Sequence, residues 1–242
     1  MSKLTRKQFV SGAAGALATS LAVGASTAFA TDSAGVPDAW DMEADFVVLG
    51  SGTALTGALK AAAEGMSVIV LEKASLIGGT TKYSGGQVWV PCNDYSENAD
   101  DRTLAKTYMT KVASGLSTEA IIDAYLDNAS DMVNFIADQA GVVWSVSPRI
   151  DYHAQWEGAS RDTRSLSPVI DGVRSGSHFI EPEGESHQAL GGTIMTETAA
   201  KRLIARPLEN GAQEILGVIA EDKQGNSISV KANKAVLVGT GG

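Results

Sequence analysis

Two glycines and one acidic residue stand at the spacing that suits a dinucleotide. Gly50-Ser51-Gly52 directly follows the apolar run 45–49, and Glu72 lies 20 residues after Gly52. Glycines allow a tight turn and a close approach to a pyrophosphate at a helix N-terminus, where free N–H groups favour negative charge. A carboxylate at position 72 can accept hydrogen bonds from ribose hydroxyls and repels a 2′-phosphate. The pattern predicts an FAD or NAD site rather than an NADP site, with a Gly-rich turn that binds no ligand as the alternative.

The elements that must position these residues form a β-α-β unit. The runs 45–49 and 67–71 are short and apolar, as is typical of buried parallel strands. Between them the chain is Ala-rich, with Leu55 and Leu59 at helical spacing, and Gly65 ends the predicted helix. This arrangement predicts that residues 50–52 lie at the carboxyl end of the first strand, under a helix N-terminus.

The rest of the chain adds helices and a β-rich tail. An amphipathic helix is predicted over 118–140, with Ser117 as its N-cap and Gly141 at its C-terminal end. Residues 145–190 are rich in Pro and turn-forming residues and are expected to be irregular. Alternation over 214–220 and 227–230 around a Lys-Gln-Gly-Asn turn predicts a hairpin. The expected fold class is α/β, Rossmann-like, with a parallel central sheet, a small hairpin or meander and a helical insertion.

Two further Gly-rich blocks carry a family resemblance. The segment 78–86 reads Gly-Gly-Thr-Thr-Lys-Tyr-Ser-Gly-Gly and follows Glu72-Lys73, and the segment 239–242 reads Gly-Thr-Gly-Gly after an apolar run. Together they resemble the flavoproteins that group fumarate reductase, succinate dehydrogenase, urocanate reductase and 3-ketosteroid dehydrogenases. The resemblance extends from about 45 to 242 and implies that FAD, not NAD, is the cofactor. It also implies that the family continues beyond Gly242, with a capping domain and a returning FAD segment, so that the domain is incomplete at its C-terminus.

The same resemblance implies which residues contact FAD. In the family, residues at 79–81 and 84–86 contact the pyrophosphate and the flavin edge, the residue at 200 meets the adenine through its backbone, and residues 240–242 lie near the cofactor. The candidate cofactor residues are therefore Gly50, Ser51, Gly52, Glu72, Lys73, Gly79, Thr80, Thr81, Ser84, Gly85, Gly86, Ala200, Thr240, Gly241 and Gly242.

One position departs from the family's Gly-x-Gly-x-x-Gly pattern. Leu55 stands where the third glycine belongs, the next glycine is Gly57, and the loop is one residue short. The third glycine normally allows close packing of the helix on the strand. Either Gly57 takes over that role or the site is damaged.

No catalytic residue is assigned. Residues 151–153 and 161–168 resemble a family stretch that can approach the substrate, and Arg164 is either a substrate-carboxylate clamp or a member of a surface salt bridge. His153, His178 and His187 are expected to be ordinary polar loop residues. Their spacing and the single cysteine, Cys92, predict no metal site.

The N-terminus has the features of an export signal. Lys3, Arg6 and Lys7 precede an apolar run over 10–29 that ends in Ala-Phe-Ala at 28–30. Residues 5–10 resemble a twin-arginine signal with Lys7 in place of the second arginine. We expect a cleaved signal peptide over 1–30 and export to the periplasm or envelope, with a retained membrane anchor as the alternative. The predicted domain boundaries after residue 30 are a linker over 31–43 and the FAD-binding domain over 44–242.

Charge and context set the expected function. A net charge of −9 argues against a nucleic-acid partner. The leading hypothesis is an exported flavoprotein oxidoreductase that moves a hydride between flavin and an activated C–C bond of an enoate-like acid or a ketosteroid. Its partners would be the small-molecule substrate and an electron-donor protein, quinol or cytochrome. The alternative is a truncated, non-catalytic fragment with weak or no FAD binding, and the isolated 242-residue chain is expected to be inactive.

Overall fold

The computed structural model describes residues 31–32, 35–162 and 164–241. The predicted signal peptide, residues 33–34 of the predicted linker, Thr163 and Gly242 lie outside the described residues. In chain order the described strands are β1 Thr31–Asp32, β2 Met42–Leu49, β3 Val68–Leu71, β4 Val88–Trp89, β5 Trp144–Val146, β6 Ser165–Ile170, β7 Val173–Arg174, β8 Thr193–Met195, β9 Ala199–Pro207, β10 Gln213–Glu221 and β11 Ser227–Val238. The described helices are α1 Ala54–Ala63, α2 Gly79–Tyr83, α3 Arg102–Ala113, α4 Glu119–Ala140 and α5 Ser177–Ala189.

The larger sheet combines a parallel core with an antiparallel meander. Its order is β1-β9-β10-β11-β2-β3-β8, and the four strands β11, β2, β3 and β8 are mutually parallel. Strands β9, β10 and β11 form the meander, with the predicted turn at residues 222–226 closed by hydrogen bonds to the Asp222 carboxylate. The parallel sheet, the β-α-β unit and the hairpin are confirmed.

A smaller sheet and the helices complete the described part of the chain. Strands β4, β6 and β5 form the small sheet, and β7 pairs with β6. Helix α1 packs its Ala- and Leu-rich face on the parallel strands, and α5 lies against both α1 and α4. The principal core cluster joins these layers through Val48, Leu55, Val133, Leu166 and Ile180, each of which is fully buried. No helix within the described residues is long and apolar enough to cross a membrane.

Three sequence expectations need correction. Helix α4 is capped by Thr118, whose hydroxyl accepts from the Ile121 N–H, rather than by Ser117. The segment 145–190 is not irregular throughout, because it contains α5 as well as short strands. Part of the predicted linker belongs to the sheet, since Thr31–Asp32 pairs with β9 and β2 begins at Met42.

Candidate functional site

The carboxyl ends of three parallel strands meet at one edge of the sheet. Leu49 of β2 is in register with Leu71 of β3 on one side and with Val238 of β11 on the other. The residues that follow these strands, Gly50, Glu72 and Gly239, therefore share this edge. Gly50 has a φ of +90°, and a Cβ on it would lie 2.5 Å from the Gly239 carbonyl oxygen. Any side chain at position 50 would separate the two loops, so glycine is required there.

Glu72 organises the loop after β2. One carboxylate oxygen accepts hydrogen bonds from the Ser51 N–H at 3.0 Å and from the Ser51 hydroxyl, and the other accepts from the Ala74 N–H at 2.8 Å. The Ser51 hydroxyl in turn accepts from the Gly78 N–H at 2.9 Å. Both side chains are buried, with Ser51 0% and Glu72 7% exposed. The network therefore joins the first and second glycine blocks through a carboxylate at the end of β3.

The second glycine block packs closely on the first. A Cβ on Gly52 would stand 3.4 Å from the Thr81 hydroxyl oxygen, so these two predicted residues are neighbours. The Ser84 hydroxyl donates to the Thr81 carbonyl and accepts from the Gly86 N–H. Gly86 is buried against Pro168. The structure thus brings residues 50–52 and 79–86 together at the same edge.

The remaining candidates surround this edge with exposed groups. Ala200 lies in β9, two residues after Thr198, whose N–H donates to the Glu72 carbonyl at 2.8 Å, so the meander starts directly beside Glu72. Gly242 lies outside the described residues. The exposed candidates are Lys73, Gly79, Thr80, Ser84, Gly85, Thr240 and Gly241.

The start of α1 fits a phosphate. Thr53 is the N-cap residue, and no side chain of the described residues caps the helix there. The first N–H groups of the helix are therefore not engaged by a capping side chain, which leaves them available to an anion. A Cβ on Gly57 would stand 2.9 Å from Leu237 Cδ2, and Leu55 is fully buried in the core. Gly57 thus provides the close approach of helix to strand that the family assigns to the third glycine.

A second feature is an aromatic cavity of about 670 Å³. It lies between α3, α4 and residues 149–153. Trp89 is the aromatic residue that the others of the wall surround: its ring centroid lies 6.1 Å from that of Tyr108 and 6.3 Å from that of Tyr125. Its lining residues are Trp89, Tyr108, Met109, Val112, Tyr125, Arg149, Ile150, Asp151, Tyr152, His153 and Ser165. A lining of aromatic faces suits a ligand with an apolar ring.

Arg164 is a buried structural group rather than a substrate clamp. Its guanidinium forms a bidentate pair with Asp100 (2.8 and 2.8 Å) and also donates to Asp151 at 3.0 Å and to the Gly158 carbonyl at 2.8 Å. Burial works to lower the pKa of Arg164, but the two carboxylates outweigh burial and raise it. The clamp interpretation is wrong because the guanidinium is engaged by the protein. The salt bridge is confirmed, but it is buried rather than at the surface, since Arg164 is only 2% exposed.

Two of the histidines are also placed differently from the expectation. His178 and His187 lie in α5 rather than in loops, and His187 is fully buried. Burial lowers the pKa of His187, although backbone groups of Thr193 and Ala58 oppose the shift. His153 does lie in a loop, where its ring stacks on Trp156 with centroids 3.8 Å apart. No group of three metal-ligating side chains occurs within the part of the chain that the structure describes.

The cavity is not evident from the sequence. Its wall comes from β4, α3, α4 and the loop at 149–153, which are distant in sequence and are brought together only by tertiary packing. The available signal was the presence of Trp89 and Tyr152 within segments rich in turn-forming residues. Aromatic residues in such segments are worth testing as binding residues because loops on a rigid scaffold often carry function.

Comparison with known proteins identifies the fold. The FAD binding domain family model matches residues 45–242. The 4-oxocyclohexanecarboxylate 2-dehydrogenase of Sinomonas cyclohexanicum is 37% identical over 134 residues, covering 53% of this chain and 23% of that protein. The 3-oxosteroid 1-dehydrogenase of Comamonas testosteroni is 29% identical over 188 residues, covering 74% of this chain and 32% of that protein.

A solved structure of a flavocytochrome c3 fumarate reductase shares the fold. It superposes with a TM-score of 0.67 at 18% identity, and the match covers 84% of this chain and 34% of that one. The chain thus spans about a quarter to a third of the length of these relatives. The resemblance to ketosteroid dehydrogenases and fumarate reductases is confirmed, and the cofactor of this fold is FAD. The chain belongs to the FAD binding domain family of flavoprotein oxidoreductases.

Proposed function

We propose that the chain is the FAD-binding part of an oxidoreductase that transfers a hydride between flavin and the C–C bond next to a ring ketone. The observation that carries the proposal is the edge where Gly50, Glu72 and Gly239 meet beneath an uncapped helix N-terminus. When bound there, FAD would supply the hydride chemistry. The protein groups on this edge bind and orient the cofactor.

Individual residues would hold different parts of FAD. The uncapped start of α1 and the main chain at Gly52 would face the pyrophosphate. Glu72 would accept hydrogen bonds from the adenosine ribose, because the oxygen bound to Ala74 N–H has further acceptor capacity. Ala200 would approach the adenine from β9, and the exposed Thr80 and Thr240 would stand nearer the flavin.

The aromatic cavity supports a ring ketone over an acyclic enoate diacid. Trp89, Tyr108 and Tyr125 offer apolar ring faces, which gain most from a cyclic hydrocarbon skeleton. An acyclic diacid would need several free cationic groups, and Arg164 is already engaged by Asp100 and Asp151. The two curated relatives described above are named for dehydrogenation of a cyclohexanone carboxylate and of a 3-oxosteroid, which agrees with this choice. An enoate-like acid remains the second candidate because a fumarate reductase shares the fold.

Export and redox partner are parts of the same proposal. The charged start, apolar run and Ala-Phe-Ala site support cleavage after Ala30 and transport across the cytoplasmic membrane. A twin-arginine route would suit a protein that folds around its cofactor before export. The electron partner would be a protein, a quinol or a cytochrome that reaches the exposed flavin edge.

The proposal is tested by flavin content and turnover. Protein purified from residues 31–242 with excess FAD should release FAD, identified by chromatography, on denaturation. We expect no turnover of a 3-oxosteroid or a cyclohexanone with an artificial electron acceptor, because the chain spans only 23–32% of the curated relatives described above. Absence of any flavin after incubation would support the non-catalytic alternative, and turnover by this chain would show that its active site is complete.

A further inference from the structure

The cavity wall leaves one cationic side chain without a protein partner. Among the described residues, the Arg149 guanidinium makes no ion pair or hydrogen bond, although it lines the cavity. A hydrogen bond holds the backbone at Arg149, whose N–H donates to the Ser147 carbonyl at 2.7 Å. The group is exposed at the cavity rim, where it can reach a bound molecule.

Three other polar groups of the wall are already engaged by the protein. The Asp151 carboxylate accepts from Trp89 Nε1 at 2.7 Å, from the Ser160 N–H at 2.9 Å and from Arg164. The Tyr125 hydroxyl donates to the Trp89 carbonyl, and the Tyr108 hydroxyl accepts from the His153 N–H at 3.2 Å. These groups fix the wall, so its interior offers mainly ring faces to a ligand.

The charges around the cavity make an anionic ligand dependent on Arg149. Asp100 and the wall residue Asp151 together exceed Arg164 by one negative charge. An anionic ligand would be repelled by this excess unless a cation at the rim offset it. Arg149 is such a cation, and a guanidinium binds a carboxylate through two parallel N–H···O bonds.

We propose that the cavity binds a ring ketone that carries a carboxylate, and that the Arg149 guanidinium binds the carboxylate while the aromatic wall holds the ring. This inference rests on the proposed function in taking the cavity as the substrate site. On this inference, Arg149 determines the specificity for acidic over neutral ring substrates. A neutral ketone would gain ring contacts but no benefit from the guanidinium.

A matched pair of ligands tests the assignment. Cyclohexanecarboxylate and cyclohexanecarboxamide have nearly the same shape and differ in charge. Binding can be followed by the tryptophan fluorescence of the protein, to which Trp89 in the cavity contributes, in the unchanged protein, in Arg149→Gln and in Arg161→Gln. Arg161 is exposed in the neighbouring loop and does not line the cavity, so its loss changes the net charge equally.

The expected result is a specific loss of charge discrimination. The unchanged protein and Arg161→Gln should bind the carboxylate about three to ten times more tightly than the carboxamide, the usual range for a partly exposed charge-assisted pair. Arg149→Gln should bind the carboxylate no more tightly than the carboxamide. An unchanged preference in Arg149→Gln, or an equal loss in Arg161→Gln, would overturn the assignment.

FAD binding measured on the same samples separates the two proposals. Discrimination that depends on Arg149 in a protein that binds no FAD would support the carboxylate site while contradicting the proposed function. FAD binding in a protein whose cavity binds neither ligand would overturn the carboxylate site and leave the cofactor assignment intact.

Discussion

At the scale of single residues, Glu183 is a carboxylic acid placed inside the core. It lies on α5 facing α1, is 0% exposed, and accepts one hydrogen bond, from the Thr56 hydroxyl at 2.8 Å. Among the described residues its second oxygen has no hydrogen-bond partner. Burial raises its pKa from the usual 4.5 to about 8, and the Thr56 hydrogen bond opposes this only in part. The folded protein therefore holds Glu183 in the neutral form at pH 7.

This placement predicts that stability falls as the pH rises from 6.5 to 8. Over this range the folded state keeps the proton on Glu183 while the unfolded state has lost it, so the free energy of unfolding decreases by up to about 1.4 kcal/mol per pH unit. Glu183→Gln removes the titrating group and should abolish this part of the slope. The measurement is chemical denaturation of both proteins across the range.

His187 is present in both proteins, so its titration cancels when their slopes are compared. Burial lowers its pKa, and the stability that it contributes is lost as the pH falls through the unfolded pKa of about 6.5, where the unfolded state takes up a proton first. Glu185→Gln is the control, because Glu185 is exposed on the same helix. A wild-type slope that matches Glu183→Gln, or a Glu185→Gln slope that differs from wild type, would contradict the assignment.

Residues that depend on short-range pattern were predictable, and residues that depend on tertiary packing were not. The roles of Gly50 and Glu72 were predicted from the strand, the turn and the spacing of one β-α-β unit. The structure places both residues at one edge of the sheet. The roles of Arg164 and His187 depend on which distant segments surround them. Arg164 is paired with Asp100, which is 64 residues away in sequence, and no local pattern indicates that contact.

At the scale of elements, the end of β11 and the start of α1 are in close contact. A Cβ on Gly239 would lie 2.3 Å from the Ala54 Cβ, an overlap that no rotation of a side chain can relieve. Gly239→Ala should therefore push α1 away from the sheet edge. We expect a loss of about 1–3 kcal/mol in the free energy of unfolding, the usual cost of overpacking, and weaker FAD binding.

Gly35→Ala is a control of the same chemistry. A Cβ on Gly35 would stand 3.8 Å from the nearest atoms, which belong to Arg202, and this is an ordinary contact. Denaturation curves and FAD titrations of both variants would be compared with wild type. Equal stability and equal FAD affinity for Gly239→Ala and Gly35→Ala would show that the contact between β11 and α1 does not shape the site.

Element prediction succeeded where apolar residues follow one period. Helix α4 has a continuous apolar stripe, and its observed bounds, Glu119–Ala140, agree closely with the prediction. Helix α5 was missed because Pro182, Gly184, Glu183 and His187 break the stripe. Its stability comes from the buried Phe179 and Ile180 in the principal core, so tertiary packing outweighs weak local propensity.

At the scale of the whole molecule, the parallel sheet and the meander act as one support for the cofactor edge. Strand β11 connects the two, since its residues 227–231 pair with β10 and its residues 230–238 pair with β2. The fold class followed from the order of strands and helices in the sequence. The position of the cavity did not, because it depends on how α3, α4 and residues 149–153 pack together.

The central claim is that Glu72 and its edge bind FAD, and a titration tests it most directly. FAD would be added to the protein, to Glu72→Ala and to Glu209→Ala, an exposed acid in the loop between β9 and β10, while flavin fluorescence and thermal unfolding are recorded. We predict saturable binding by the unchanged protein and by Glu209→Ala. Glu72→Ala should remain folded, and its free energy of FAD binding should be weaker by about 1.5–3 kcal/mol, which raises the Kd roughly ten- to hundredfold. A folded Glu72→Ala with unchanged Kd, or no saturable binding by the unchanged protein, would contradict the account.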